Sequence, residues 1–331
     1  MKSHLRFLTG LLMGGLLGGG LFYSLIVLQW GAPTESSRWC YEIMQKKKAI
    51  AIGIARPKLL IAGGSSALFS INAEQIEAMT RIPTVNMGTH AALGPKYILD
   101  QIKQVAKPGD TVLLALEYEL YAGGARRPYW DDELYIDYLM ARDPRYLKNL
   151  PWRERSFLMF STSFTRLKHG LKAKFFGERR RSETGVYDAA LLDHRGDQTG
   201  IETAHKPVNA VKINRAHPLL IDGFSGEPKG FAIIADFYAW ARNNRVHILA
   251  TYPALAANPR YANADLRDAP KRVKEFYARL GVPLLENQNE VIYPHSDFFD
   301  TVYHLTAEGA RRRTQHLILA LDSVRLKWTA K

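Results

Sequence analysis

A serine hydroxyl, an imidazole and a carboxylate can together make and break an ester, and this chain carries such a set at its two ends. Ser65 stands in Gly63-Gly64-Ser65-Ser66, and Asp300-Thr301-Val302-Tyr303-His304-Leu305-Thr306 follows more than two hundred residues later. The hydroxyl is a poor nucleophile at neutral pH until an imidazole takes its proton, and a carboxylate must hold that imidazole in the right tautomer. Gly-Gly-Ser-Ser alone is most often a flexible turn. A phosphate-cradling reading is disfavoured, because neither a Gly-x-Gly-x-x-Gly pattern nor a Walker-type lysine follows it.

The elements around these residues give them a common edge. Lys58-Leu59-Leu60-Ile61-Ala62 reads as a buried strand that runs into the glycines. Asn72 then caps a helix reaching about Met79, with Gln75 in a capping-box position. Pro83 to Met87 is a second strand, Pro95 to Ala106 a helix, and Thr111 to Leu116 a third strand. This alternation predicts an α/β fold with a three-layer, doubly wound parallel sheet. It breaks at an insertion of about residues 122–228, expected to be helical, and resumes with a helix over Lys229–Asn243, a strand over Val246–Tyr252, a helix over Arg267–Leu280 and a strand near Val282–Leu285. Thr306 caps the last helix. In such a sheet ligands sit at the carboxyl ends of the strands. Ser65, Gly88, Glu117-Tyr118 and the Asp300/His304 loop all fall at that edge.

The N-terminus predicts a membrane. No charged residue occurs over the 22 positions from Phe7 to Leu28, and about 20 apolar residues suffice to cross a bilayer core. The run is longer than a cleaved signal needs, so residues 1–30 read as a signal anchor or transmembrane helix. Residues 31–56 read as a helical stalk, and 57–330 as the α/β domain. Lys2 and Arg6 precede the span and Arg38 alone closely follows it, which places the bulk of the chain on the extracytoplasmic (periplasmic) side of an inner membrane as a single-pass protein. Gly10, Gly14 and Gly18 share one face, which suits a membrane-embedded partner helix.

The formal net charge is +13, with nine Lys/Arg against two Glu between Pro151 and Arg181, a net of +7. Phe157, Phe160, Phe164, Leu167, Leu171 and Phe175 recur there at helical spacing. The expectation is a basic amphipathic helix whose apolar face packs on the domain. The alternative is that it lies on an anionic membrane. No nucleic-acid recognition module is present, and the one cysteine, Cys40, leaves the redox compartment open.

These blocks resemble the SGNH, or GDSL-type, hydrolase superfamily over roughly Lys58–Leu120 and Lys229–Leu321. Gly63-Gly64-Ser65 is similar to its Gly-Asp-Ser block, with Gly64 in the aspartate's place; Asn86-Met87-Gly88 is similar to its second block. Asp300…His304-Leu305-Thr306 is similar to its last block. The resemblance implies Ser65 as nucleophile, preferred to Ser66 by the spacing of the Ala67-Leu68-Phe69-Ser70-Ile71 run. It also implies His304 as base, Asp300 as its orienting carboxylate with Asp297 second in line, and the Ser65 and Gly88 amides as oxyanion donors. The third block departs: Leu116-Glu117-Tyr118-Glu119 stands where Gly-x-Asn-Asp is expected, leaving Tyr118 or a backbone group as a substitute donor.

In layout the chain is similar to the membrane-anchored, extracytoplasmic branch that includes alginate O-acetylation proteins. That branch implies an O-acyl (acetyl) transferase or esterase acting on an exported polysaccharide or cell-envelope glycan, beside a polytopic membrane O-acyltransferase. The alternative is a catalytically silent scaffold binding a polymer or that complex. Ser66, His90, Glu117 and Tyr118 are expected in the substrate pocket, and no cofactor or metal is expected. His194 and Asp197 read as a solvated loop, and Arg311-Arg312-Arg313 as a solvated helix face.

Overall fold

The structure, a computed structural model, describes residues 2–122, 133–178, 185–201, 226–262 and 264–329. Much of the expected insertion, with Arg179, Arg180 and Arg181, lies outside the described residues. In chain order the elements begin α1 (Lys2–Leu28), α2 (Arg38–Gly53), β1 (Leu59–Ala62), α3 (Ser65–Ser70), α4 (Ala73–Thr80) and β2 (Thr84–Asn86). There follow α5 (Gly94–Lys103), β3 (Thr111–Leu114), α6 (Tyr118–Ala122), α7 (Glu133–Ala141), α8 (Pro144–Asn149), α9 (Trp152–Phe160) and α10 (Phe164–Phe176). The chain ends with α11 (Lys229–Asn243), β4 (His247–Ala250), β5 (Leu255–Ala256), α12 (Ala264–Leu280), β6 (Ile292–Tyr293) and α13 (Ala307–Thr329). Two compact units divide it: Met1–Tyr41 with Trp130–Ser182, and Glu42–Tyr129 with Glu183–Lys331.

The first unit is helical. Ser3–Leu28 of α1 is long and apolar enough to cross a membrane, and its side chains are almost all exposed. α9 and α10 pack on α1, and Gly31 N–H reaches Met140 O at 2.8 Å. The buried Asp137 carboxylate takes the Thr34 hydroxyl and pairs with Arg166, whose Nη1 donates to Gln29 Oε1 at 2.6 Å. The basic stretch is therefore not one helix. It breaks at Ser161-Thr162-Ser163, where the Ser163 side chain accepts from Arg166 N–H at 3.0 Å and caps α10; hydroxyl side chains favour such caps over helix interiors. Nor does the apolar stripe pack as expected. Leu167 is buried, but Phe157, Phe160, Phe164 and Phe175 face solvent, and Arg166 is sequestered rather than solvated.

In the second unit the strand order is β2-β1-β3-β4, all parallel, in register Leu59↔Thr84, Leu59↔Thr111 and Thr111↔His247. Alternate residues, Leu59 and Ile61 of β1, Leu113 of β3 and Leu249 of β4, face α3, α4 and α13 through Ala67, Ile71, Ile76, Leu317 and Ile318. The intervening Leu60, Val112, Leu114 and Ile248 are buried too. α5 contacts β1, α11 contacts β4, and these two helices pack on one another. Covering both faces explains why the strands are nearly all apolar. The strand expected over Val282–Leu285 shrinks to one parallel bridge, Ala250↔Leu284. Residues 31–56 are not a free stalk either: from Glu42 onward α2 belongs to this unit, with Ile43, Met44, Lys47 and Ala51 buried.

Two further expectations are corrected by burial. Asp197 is no solvated loop residue: its carboxylate accepts Glu74 N–H and Asn86 Nδ2, both at 3.0 Å, at the start of α4. Burial raises its pKa, and burial lowers that of Lys47, whose Nζ donates to Gly88 O at 2.5 Å. Arg313 is likewise buried, donating to Tyr252 O at 2.6 Å beside Glu286.

Candidate active site

The chain passes from β1 to β2 on one side and from β3 to β4 on the other, so the carboxyl ends of β1 and β3 stand at a switch point of the kind where open α/β sheets bind ligands. Gly63 and Gly64 leave β1 there because nothing larger fits. A Cβ on Gly63 would lie 2.3 Å from Ala115 O, and one on Gly64 would lie 2.5 Å from Glu117 Oε1 and 2.8 Å from Ala91 Cα. Ser65 is then the first residue of α3, half-buried, on a turn held from beneath by β3's continuation.

Glu117 does the holding. Its Oε2 accepts Gly64 N–H at 3.0 Å and its Oε1 accepts Ser66 N–H at 2.7 Å. Burial pushes its pKa up to about 7, against those hydrogen bonds, which lower it. A side chain at position 64 would collide with this carboxylate, which reaches under the turn from the segment that follows β3. Between the two amides taken by Glu117, the Ser65 N–H makes no hydrogen bond to any described residue.

His304 comes from the loop before α13. Its Nδ1 lies 2.7 Å from Asp300 Oδ1. The other carboxylate oxygen takes the Tyr187 hydroxyl, which also stands 3.3 Å from His304 Nδ1. Burial, and then the Asp300 charge, push the Tyr187 pKa well up, so the phenol keeps its proton. Three intervening residues do not prevent the Asp–His contact. Asp297 is committed elsewhere, to Arg312.

α3 connects the two halves. Ser65 and Phe69 are four residues apart on one helix, so their side chains share a face about 5–6 Å apart. The Phe69 ring packs on the His304 imidazole with centroids 4.6 Å apart and on Phe299 at 5.3 Å. Ser70 Oγ donates to Tyr303 O at 3.0 Å, tying the same turn to the histidine loop. His304 thus packs on the residue one helical turn after Ser65, with Nδ1 committed to Asp300. No hydrogen bond joins the Ser65 hydroxyl to the imidazole among the described residues.

Other expected site residues have different tasks. The Gly88 amide is not an available oxyanion donor, since it donates to Asn86 Oδ1 at 2.9 Å, and a Cβ there would meet Leu68 N at 2.5 Å. Ser66 and Glu117 are buried under the turn rather than lining a pocket. His90 Nδ1 accepts Ala92 N–H at 3.1 Å and caps a short turn. Tyr118 stands against Tyr252, and its buried hydroxyl has no hydrogen-bond partner among the described residues. Glu119 accepts the Tyr303 hydroxyl at 2.7 Å. Tyr187 had no signal in the sequence, whereas Phe69 was readable as the residue one turn beyond the serine. A cavity of about 700 Å³ opens beyond β4, bordered by Tyr252, Tyr261, Lys271, Lys274 and Asn287; Ser65, Asp300 and His304 do not line it. No group of three or more His, Cys, Asp or Glu able to hold a metal occurs among the described residues.

Comparison with known proteins returns no match: no family model matches this sequence, and neither does any curated protein or solved structure. What the fold defines is a mixed α/β protein with a four-stranded parallel sheet and one N-terminal helix apolar enough for a membrane.

Proposed function

We propose that this chain is a membrane-anchored, SGNH-like serine O-acyltransferase or esterase that handles acyl esters of an exported polysaccharide or cell-envelope glycan. The observation that carries this reading is the Asp300–His304 pair, held by Phe69 on the helix that begins with Ser65. In the first step Ser65 Oγ bonds to the acyl carbonyl carbon while His304 Nε2 takes the hydroxyl proton. The Ser65 N–H donates to the oxyanion, and collapse breaks the ester C–O bond as His304 returns the proton to the departing alcohol. The second step runs the same sequence with a sugar hydroxyl or water as nucleophile. Asp300 holds His304 with Nδ1 protonated, and the Tyr187 hydroxyl steadies Asp300.

α1 would keep the site at the outer face of an inner membrane, beside a polytopic O-acyltransferase as acyl source. Its exposed glycines, with nothing within 4 Å of a Cβ at Gly10, Gly14 or Gly18, suit such a neighbour. The Ser65→Ala variant assayed on p-nitrophenyl acetate tests the chemistry. Turnover should fall about a thousandfold or more, and unchanged turnover removes the enzyme.

Two observations favour a second reading, a catalytically silent scaffold that binds a polymer or an acyltransferase complex. The Ser65 hydroxyl is not bonded to His304, and the Gly88 amide is spent on Asn86. A scaffold would still bind the glycan after Ser65→Ala with unchanged affinity and would show no turnover before it.

A further inference from the structure

The first unit carries six largely exposed aromatic side chains on two successive helices: Trp152, Phe157, Phe160, Phe164, Phe175 and Phe176. Phe164 is 80 % exposed and Phe176 86 %. A soluble surface rarely exposes that much apolar area without a purpose. The height of two of them is fixed by α1, since Phe22 meets Phe164 with ring centroids 6.0 Å apart and Tyr23 meets Phe160 at 6.3 Å. At 1.5 Å per residue, Phe22 lies about 9 Å inside the end of the apolar run at Leu28. Helices that lie in a membrane interface sink their apolar faces about 5–10 Å below the headgroups. The two depths agree.

The charge agrees as well. Exposed Arg153, Lys168, Lys172 and Lys174 accompany these rings on the same two helices, while the one arginine that is buried there, Arg166, is neutralised by Asp137. At the end of the span Lys148 lies over the Trp30 ring, 5.9 Å from its centroid, an arrangement suited to the headgroup level.

We propose that α9 and α10 form a monotopic platform seated in the leaflet at the C-terminal end of α1, its Phe160 and Phe164 rings in the acyl region and its lysines and arginines on anionic phospholipid headgroups. The proposal rests on α1 spanning the bilayer, and goes beyond the acyl chemistry, which it does not require. Seating the unit at two places would restrict its tilt as well as its distance from the membrane.

The test uses the full chain in lipid nanodiscs containing phosphatidylglycerol. A nitrobenzoxadiazole probe is attached to cysteine in Phe164→Cys, Phe160→Cys and, within the span, Leu17→Cys. All three positions are exposed, while the native Cys40 is buried and is checked by labelling the unsubstituted chain. Lipids with a nitroxide at the fifth acyl carbon should quench all three probes at least twofold, and replacing phosphatidylglycerol with phosphatidylcholine should reduce quenching at Phe160. Quenching at Leu17 with aqueous emission at Phe164 and Phe160 overturns the platform and leaves the anchor standing. Aqueous emission at all three overturns both. Quenching at the phenylalanine positions that appears only in discs holding two chains assigns the face to a second copy and overturns the lipid proposal.

Discussion

Replacing Glu117 with glutamine isolates the carboxylate that clasps the Ser65 turn. A buried acid held neutral below about pH 7, against an ordinary value of 4.5, binds a proton in the folded chain that the unfolded chain has released. Its folded-state pKa is raised, so stability is full below about pH 4.5 and declines as pH climbs toward 7 and beyond. The 2.5-unit gap is worth about 3 kcal/mol at 1.36 kcal/mol per unit. Glutamine does not ionise, but its NH2 meets one of the two amides that the carboxylate oxygens accept, which costs about 1–3 kcal/mol at every pH. The variant should therefore lie below the parent at pH 4.5, and the difference should shift in its favour by about 3 kcal/mol by pH 8. For a unit of this size that is about 6–12 °C in Tm, at 2–4 °C per kcal/mol. Thermal denaturation of the full chain in detergent, as parent minus variant from pH 4.5 to 8.5, cancels the other titrating groups, Lys47 and Asp197 among them. A difference that does not change with pH refutes the reasoning, as it would mean Glu117 is ionised throughout or spared the cost of burial.

Three further outcomes follow from contacts already described. Asp300→Asn should keep the fold and lower esterase kcat by roughly 10³–10⁴, because the imidazole loses the partner that sets its tautomer; pre-steady-state assays on an acetyl ester measure it. Gly64→Ala forces a Cβ to within 2.5 Å of Glu117 Oε1 and 2.8 Å of Ala91 Cα, and overpacking of this kind costs about 1–3 kcal/mol, visible as a lowered Tm. Lys47→Met leaves the buried Asp197 carboxylate without its nearby cation and Gly88 O without its donor. Removing one partner of a buried charge set costs about 3–5 kcal/mol, again read from thermal denaturation.

Much of the sheet could be read from the chain because parallel strands buried on both faces leave short, mostly apolar runs, two of which here end in glycine. Leu59–Ala62, Thr84–Asn86 and Thr111–Leu114 all lie inside the segments so marked, and α11 occupies Lys229–Asn243 as its periodicity indicates. What escaped was set by long-range contacts. Glu117 looks like any strand-end carboxylate until β1 and β3 pair and bring it under Gly64. Tyr187 reaches Asp300 from a region without periodicity, and Lys47 sits in what reads as a charged stalk although its ammonium is buried against Gly88 O. The Asn86 side chain, whose Oδ1 takes the Gly88 amide and whose Nδ2 reaches Ala67 O, Ile71 O and Asp197, explains why a glycine placed like an oxyanion donor serves the turn instead. The Asp300–His304 contact was legible despite its one-residue-longer spacing, since an intervening turn absorbs the extra residue.

The central claim, an activated Ser65, is tested most directly by mass spectrometry of the full chain after exposure to a fluorophosphonate. An adduct on Ser65 that disappears in His304→Gln, with the neighbouring Ser66 unmodified, is the predicted result. A Ser65 that stays unmodified in the parent chain, or is modified equally without the imidazole, contradicts the account.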